Sequence, residues 1–157
     1  MGPLAQIIGI TMLPFLELRA SIPAGILLLG PDAWLFVAAV AITANIVLGF
    51  LLFFFVELII KVLTKVSLLD RLYQRTILRI QRQASPYVHK YGTIGLALFI
   101  GVPLPGSGVY SGVLAAKVLG FRFREYALAM VIGVCIAGAA VTCVMLSGSA
   151  AFSLFIR

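Results

Sequence analysis

Leu13-Pro14-Phe15-Leu16-Glu17-Leu18-Arg19-Ala20-Ser21-Ile22-Pro23 sets a carboxylate, a guanidinium and two prolines inside sequence that otherwise reads as lipid-facing. Proline lacks a backbone N–H and crowds the preceding turn, so Pro14 and Pro23 deny this stretch a continuous helix. The apolar arms around it, residues 4–16 and 24–29, fall short of the roughly 20 residues a bilayer crossing needs. The pattern predicts a re-entrant hairpin over residues 4–30, closed by Gly30-Pro31-Asp32. A counterpart follows later, where Val102-Pro103-Leu104-Pro105-Gly106-Ser107-Gly108 separates short apolar arms at 93–102 and 109–119, which predicts a second hairpin over 92–119. Irregular backbone at membrane depth persists only where protein or a wet cavity covers it, so each break needs a partner.

Composition supports the membrane setting. Hydrophobic residues make up 62% of the 157, charged residues only 11%, and the mean hydropathy is +1.16. A soluble domain of this size needs far more polar surface. The net charge of +7 is concentrated between two hydrophobic regions, which fits the positive-inside rule better than nucleic acid binding. The run at residues 4–16 has no basic residue before it and ends in Glu17 and Arg19, so it reads as mature protein rather than signal peptide. Cys135 and Cys143, eight residues apart on one helix, are separated by about 12 Å and cannot form a disulfide with each other. They read as small hydrophobes. His89 is the only histidine, and no spacing suggests a metal or a cofactor.

Residues 33–60 read as one long transmembrane helix, anchored by Trp34 and interrupted in polarity by Asn45 and Glu57, the latter spaced to pair with Lys61. Residues 61–90 carry seven of the twelve basic residues. Arg71, Arg75, Arg79 and Arg82 recur at helical spacing there, predicting an amphipathic helix on an anionic cytoplasmic leaflet or a segment that merely sets topology. Residues 126–146 form a second full span whose Gly133, Gly138 and alanines suit close packing, within one subunit or across a homodimer. The fold class is therefore all-α integral membrane, a single domain over 1–157. A first repeat spans 1–60, a basic linker 61–90 and a second repeat 91–157. With the basic block and the Lys117, Arg122, Arg124 group both cytoplasmic in the inner (plasma) membrane, the repeats have inverted topology, a plan many secondary transporters share.

Specific residues carry a family resemblance. Leu13-Pro14 with Glu17-Leu18-Arg19-Ala20-Ser21-Ile22-Pro23 resembles the E-L-R-G/A-x-I-P motif of the putative small multidrug export protein family. Tyr91-Gly92 with Pro103-Leu104-Pro105-Gly106-Ser107-Gly108-Val109-Tyr110-Ser111-Gly112 resembles its second motif, P-L-P-G-T-G-A-W-T-G. Ser107, Tyr110 and Ser111 stand where Thr, Trp and Thr are usual, which keeps two hydroxyls and an aromatic. Asn45 and Gly120, Gly133 and Gly138 match further positions, and the resemblance covers nearly the whole chain. The family is similar in plan to the DedA/SNARE-associated superfamily, whose members are linked to moving lipids such as undecaprenyl phosphate. The resemblance implies a transporter.

The candidate binding residues are Glu17, Arg19, Pro23, Asn45, Pro103, Pro105, Gly106, Ser107, Gly108, Tyr110 and Ser111. A charge near the bilayer centre costs on the order of 3 kcal/mol on insertion scales, so Glu17 and Arg19 need a reason to be there. Arg19 suits a phosphate or carboxylate, and the glycine-rich break offers backbone N–H groups to the same anion. That combination favours, as the leading expectation, a small multi-pass transporter that moves a lipid-linked phosphate such as undecaprenyl phosphate through a central site between the two hairpin tips. Glu17 points instead to a proton-coupled exporter of cationic small molecules. A buried ion pair joining the hairpins, or a membrane scaffold that transports nothing, are the structural alternatives. No nucleophile–base–orienter set is visible, so an enzyme is not expected.

Overall fold

The computed structural model describes residues 2–14, 16–63, 91–102 and 107–155. The basic helix expected around Arg71, Arg75, Arg79 and Arg82, and the positions Pro103, Pro105 and Gly106, lie outside the described residues. All secondary structure among the described residues is helical. Helix α1 spans Pro3–Thr11, α2 spans Glu17–Leu29, a 3₁₀ turn covers Pro31–Ala33, and α3 runs Trp34–Leu63. Helix α4 spans Thr93–Gly101, α5 spans Val109–Val118 and α6 runs Phe123–Phe155.

The first break is narrower than the prolines suggest. Helix α2 begins at Glu17 and carries Pro23 inside it, so only residues 12–16 separate it from α1. Pro23 removes one ladder hydrogen bond, to the Arg19 carbonyl, yet both turns remain packed and the helix continues. Arg19 therefore sits on the first turn of a helix, and Glu17 opens that helix with a non-helical φ of +45°. At the second break, α4 and α5 end and begin within a residue of the expected arms. Helix α6 starts with a capping carboxylate, Glu125 Oε2 accepting from the Arg122 N–H at 2.9 Å. Two 26-residue segments, Pro31–Val56 and Phe123–Gly148, each with mean hydropathy 2.5, are long and apolar enough to cross a membrane.

The short helices pack on the long ones. Helix α1 lies on α2 and α3, and α4 lies most extensively on α6. Each returning helix also reaches the other half, α2 against α6 and α5 against α3, while α3 and α6 pack together. The core they enclose includes Ile22, Val37, Leu96, Ile100, Val109 and Met130, all buried. Large apolar side chains also cover the outside, with Leu27 79% and Val144 71% exposed. An apolar exterior of this kind suits contact with lipid. Cys135 and Cys143 belong to that exterior rather than to the bundle interior.

Gly133 packs within the subunit, against α4. A Cβ there would stand 2.7 Å from the Ala97 carbonyl oxygen and 2.8 Å from Ile100 Cβ, so α4 and α6 meet nearly backbone to backbone. Gly9, by contrast, has nothing within 4 Å of a Cβ. Replacing Gly133 by alanine should cost about 1–3 kcal/mol through overpacking. Thermal unfolding of the purified protein in detergent should show a clear loss for Gly133→Ala and almost none for Gly9→Ala. Equal melting of the two variants would refute the close-packing account.

Candidate functional site between the two helix breaks

The Glu17 carboxylate is 4% exposed and points across the molecule at the start of α5. Its Oε2 accepts from the Val109 N–H at 3.1 Å, and its Oε1 from the Tyr110 N–H at 3.3 Å. The Asn45 amide on α3 approaches Oε2 at 3.5 Å, long for a hydrogen bond. The first N–H groups of a helix have no partner within it and carry the positive end of its dipole. Here a carboxylate from the other half of the chain satisfies them.

Local backbone is bent to allow this. Glu17 adopts φ +45°, the one positive value at a non-glycine among the described residues. Such a conformation costs of order 1–3 kcal/mol and persists only where surrounding contacts hold it. Opposite it, Gly108 has φ +127°. A Cβ on Gly108 would lie 2.7 Å from both Glu17 carboxylate oxygens. Glycine is required there twice, by backbone conformation and by the approach of the carboxylate.

Arg19 serves the same junction from the other side of its helix turn. Its Nη2 donates to Ser107 Oγ at 2.8 Å and to the Val102 carbonyl at 3.3 Å. Ser107 gives its own proton to the Val102 carbonyl at 2.6 Å. The Tyr110 hydroxyl donates to the Met12 carbonyl at 2.6 Å, beyond the end of α1. The two breaks thus cap one another. Glu17 takes the N–H groups of α5, Arg19 and Ser107 take the carbonyl that follows α4, and Tyr110 takes the carbonyl that follows α1.

Of the residues singled out from sequence, Glu17, Arg19, Asn45, Ser107, Gly108 and Tyr110 meet at this junction. Ser111 does not. Its hydroxyl donates to the Gly108 carbonyl at 3.3 Å, within its own first turn. Pro23 lies inside α2, where it shapes the backbone and donates nothing. Sequence reasoning overlooked Thr11 and Ser21, two buried hydroxyls 2.7 Å apart that join α1 to α2, with Thr11 also donating to the Ile7 carbonyl at 2.8 Å. It also overlooked Tyr126, whose buried hydroxyl donates to the Gly49 carbonyl at 3.1 Å between the long helices. A hydroxyl in an otherwise apolar arm was the available signal in each case. No cluster of three or more His, Cys, Asp or Glu side chains suited to a metal occurs among the described residues.

Residues 17–140, a stretch that holds all of this junction but Met12, match the family described as putative small multi-drug export protein. The chain belongs to that family. The family name describes a membrane transporter, which agrees with the two long apolar helices and the apolar exterior. Export families are not usually enzymatic. No curated protein and no solved structure matches this export-family chain.

A double-mutant cycle tests the carboxylate clamp. Gly108→Ala alone should cost on the order of 2 kcal/mol, from backbone strain and from collision with Glu17. In a Glu17→Ala background only the strain remains, so the two substitutions should be less than additive by more than about 0.5 kcal/mol. Strict additivity in unfolding measurements would mean that Glu17 is not seated against Gly108.

Proposed function

We propose that this chain is a proton-coupled exporter of cationic small molecules, with Glu17 as the coupling carboxylate. The observation that carries the reading is the seating of Glu17 on the first N–H groups of α5. An ionised carboxylate is held there by charge-assisted hydrogen bonds and by the helix dipole. A neutral one is held much less strongly. Protonation would therefore loosen the contact between the two helix pairs, and deprotonation would restore it.

Helix lengths support a hairpin arrangement around this contact. Helices α1 and α4 have 9 residues, α5 has 10 and α2 has 13. At about 1.5 Å per residue none exceeds roughly 20 Å, against a hydrocarbon core of about 30 Å. Each pair, in this reading, enters the membrane and returns, and the breaks meet near the midplane. The basic groups orient the repeats oppositely, with residues 61–90 and the Lys117, Arg122, Arg124 end cytoplasmic in the plasma membrane. Rocking one half against the other would expose the junction to either side in turn.

Transport of a lipid-linked phosphate is less well supported. That idea relied on a free helix N-terminus beside Gly106 and Gly108, and in the structure Glu17 holds the N–H groups of Val109 and Tyr110. A phosphate would have to approach Arg19 alone, past a carboxylate of like charge. Flux through proteoliposomes separates the two substrates. With an imposed pH gradient, a cationic dye should be extruded by the wild type. Glu17→Gln should reduce extrusion to the level of empty vesicles while the protein still inserts and folds. Retained pH-driven extrusion by Glu17→Gln, or flux of a polyprenyl phosphate alone, would overturn the reading.

A further inference from the structure

Asn45 is 1% exposed, and its Oδ1 has no hydrogen-bond partner among the described residues. A buried carbonyl oxygen left without a donor is costly, and native structures rarely keep one without a purpose. The same amide directs its Nδ2 at Glu17 Oε2, at the long distance of 3.5 Å. One end of the side chain is therefore weakly engaged and the other is spare.

We infer that Asn45 reads the protonation state of Glu17 by turning its amide, offering Nδ2 to the carboxylate and Oδ1 to the carboxylic acid. The chemistry of the two groups requires this complementarity. An ionised carboxylate only accepts hydrogen bonds, whereas a protonated one has an O–H to donate. The side-chain amide carries a donor and an acceptor of nearly the same size on one carbon, so a half-turn about its last torsion exchanges their places with little change of shape. Because Oδ1 has no partner in the present orientation, turning sacrifices no hydrogen bond there. In the acid form, Oδ1 would occupy the place of Nδ2 and receive the Glu17 proton's hydrogen bond. Both forms of Glu17 then find a partner in a site closed to water, and α3 is informed which form is present.

The inference rests on the coupling role proposed for Glu17 and extends it to α3. Among the described residues, three other ionisable groups interact with Glu17. They are Arg19 on its own helix, Tyr110 on α5 and Tyr126 on α6. Helices α1 and α4 contain no titratable side chain. On α3, Glu57 and Lys61 lie at least three helical turns from Asn45. A pH-dependent signal from Asn45 that is lost when Glu17 can no longer ionise would therefore report Glu17.

The chain supplies its own probe, because Asn45 is its only asparagine. Incorporating ¹³C,¹⁵N-asparagine into the full chain in lipid bilayers labels this one side chain without mutation. Solid-state NMR of its ¹³Cγ and ¹⁵Nδ2 resonances across pH should show one titration step in the wild type, at the pH where dye extrusion changes. The step should disappear in Glu17→Gln. Resonances that stay fixed while extrusion remains dependent on pH and on Glu17 would overturn the inference and leave the transport reading standing. A step that survives in Glu17→Gln would overturn it as well. Extrusion that ignores Glu17 altogether would remove the transport reading itself, whatever Asn45 does.

Discussion

A carboxylate resting on the first N–H groups of a helix from the opposite half of the chain is the contact on which this molecule depends. Buried in a membrane protein, neither partner can be left alone. The Val109 and Tyr110 N–H groups have no helical acceptor, and an ionised Glu17 has no water to solvate it. Together they answer each other's need. The strained backbone at Glu17 and the open backbone at Gly108 are the local consequences of bringing them within reach.

The rest of the junction repeats this logic with other groups. A helix that stops inside a protein core leaves carbonyls as well as N–H groups unsatisfied. The carbonyl beyond α4 receives Arg19 and Ser107, and the carbonyl beyond α1 receives Tyr110. Arg19 and Tyr110 reach these carbonyls from the other half of the chain, and Ser107 from its own.

Close helix packing makes this joint possible. Gly133 lets α4 lie against the backbone of α6, and a Cβ on Gly49 would stand 2.9 Å from Met130 Sδ and 3.0 Å from Val109 Cγ1. These approaches set α5 and α2 deep enough between α3 and α6 for Glu17 to reach both Asn45 and α5. The apolar groove between α1 and α3, about 530 Å³ and lined by Ile8, Met12 and Val40 among others, lies on the outer side of the same assembly.

Much of this was legible in the sequence, and the division has a physical basis. Composition and run length determined a membrane protein and, among the described residues, two long helices and four short ones. Both follow from the hydrophobicity and length that a bilayer demands, which are properties of single segments. The helices on either side of the second break end and begin within a residue of the expected arms, since the residue types that stop a helix can be read from the local sequence. The first was read too wide. Whether Pro23 ends a helix depends on packing around it, and the packed surroundings of α2 let the helix continue. The importance of Glu17 and Arg19 was visible because charges in apolar sequence demand an explanation. Their partners were not. Glu17 meets residues 92 and 93 positions away, and Arg19 meets one 88 away. Only the tertiary structure could bring a carboxylate to the helix N-terminus that the sequence had left open for an external anion.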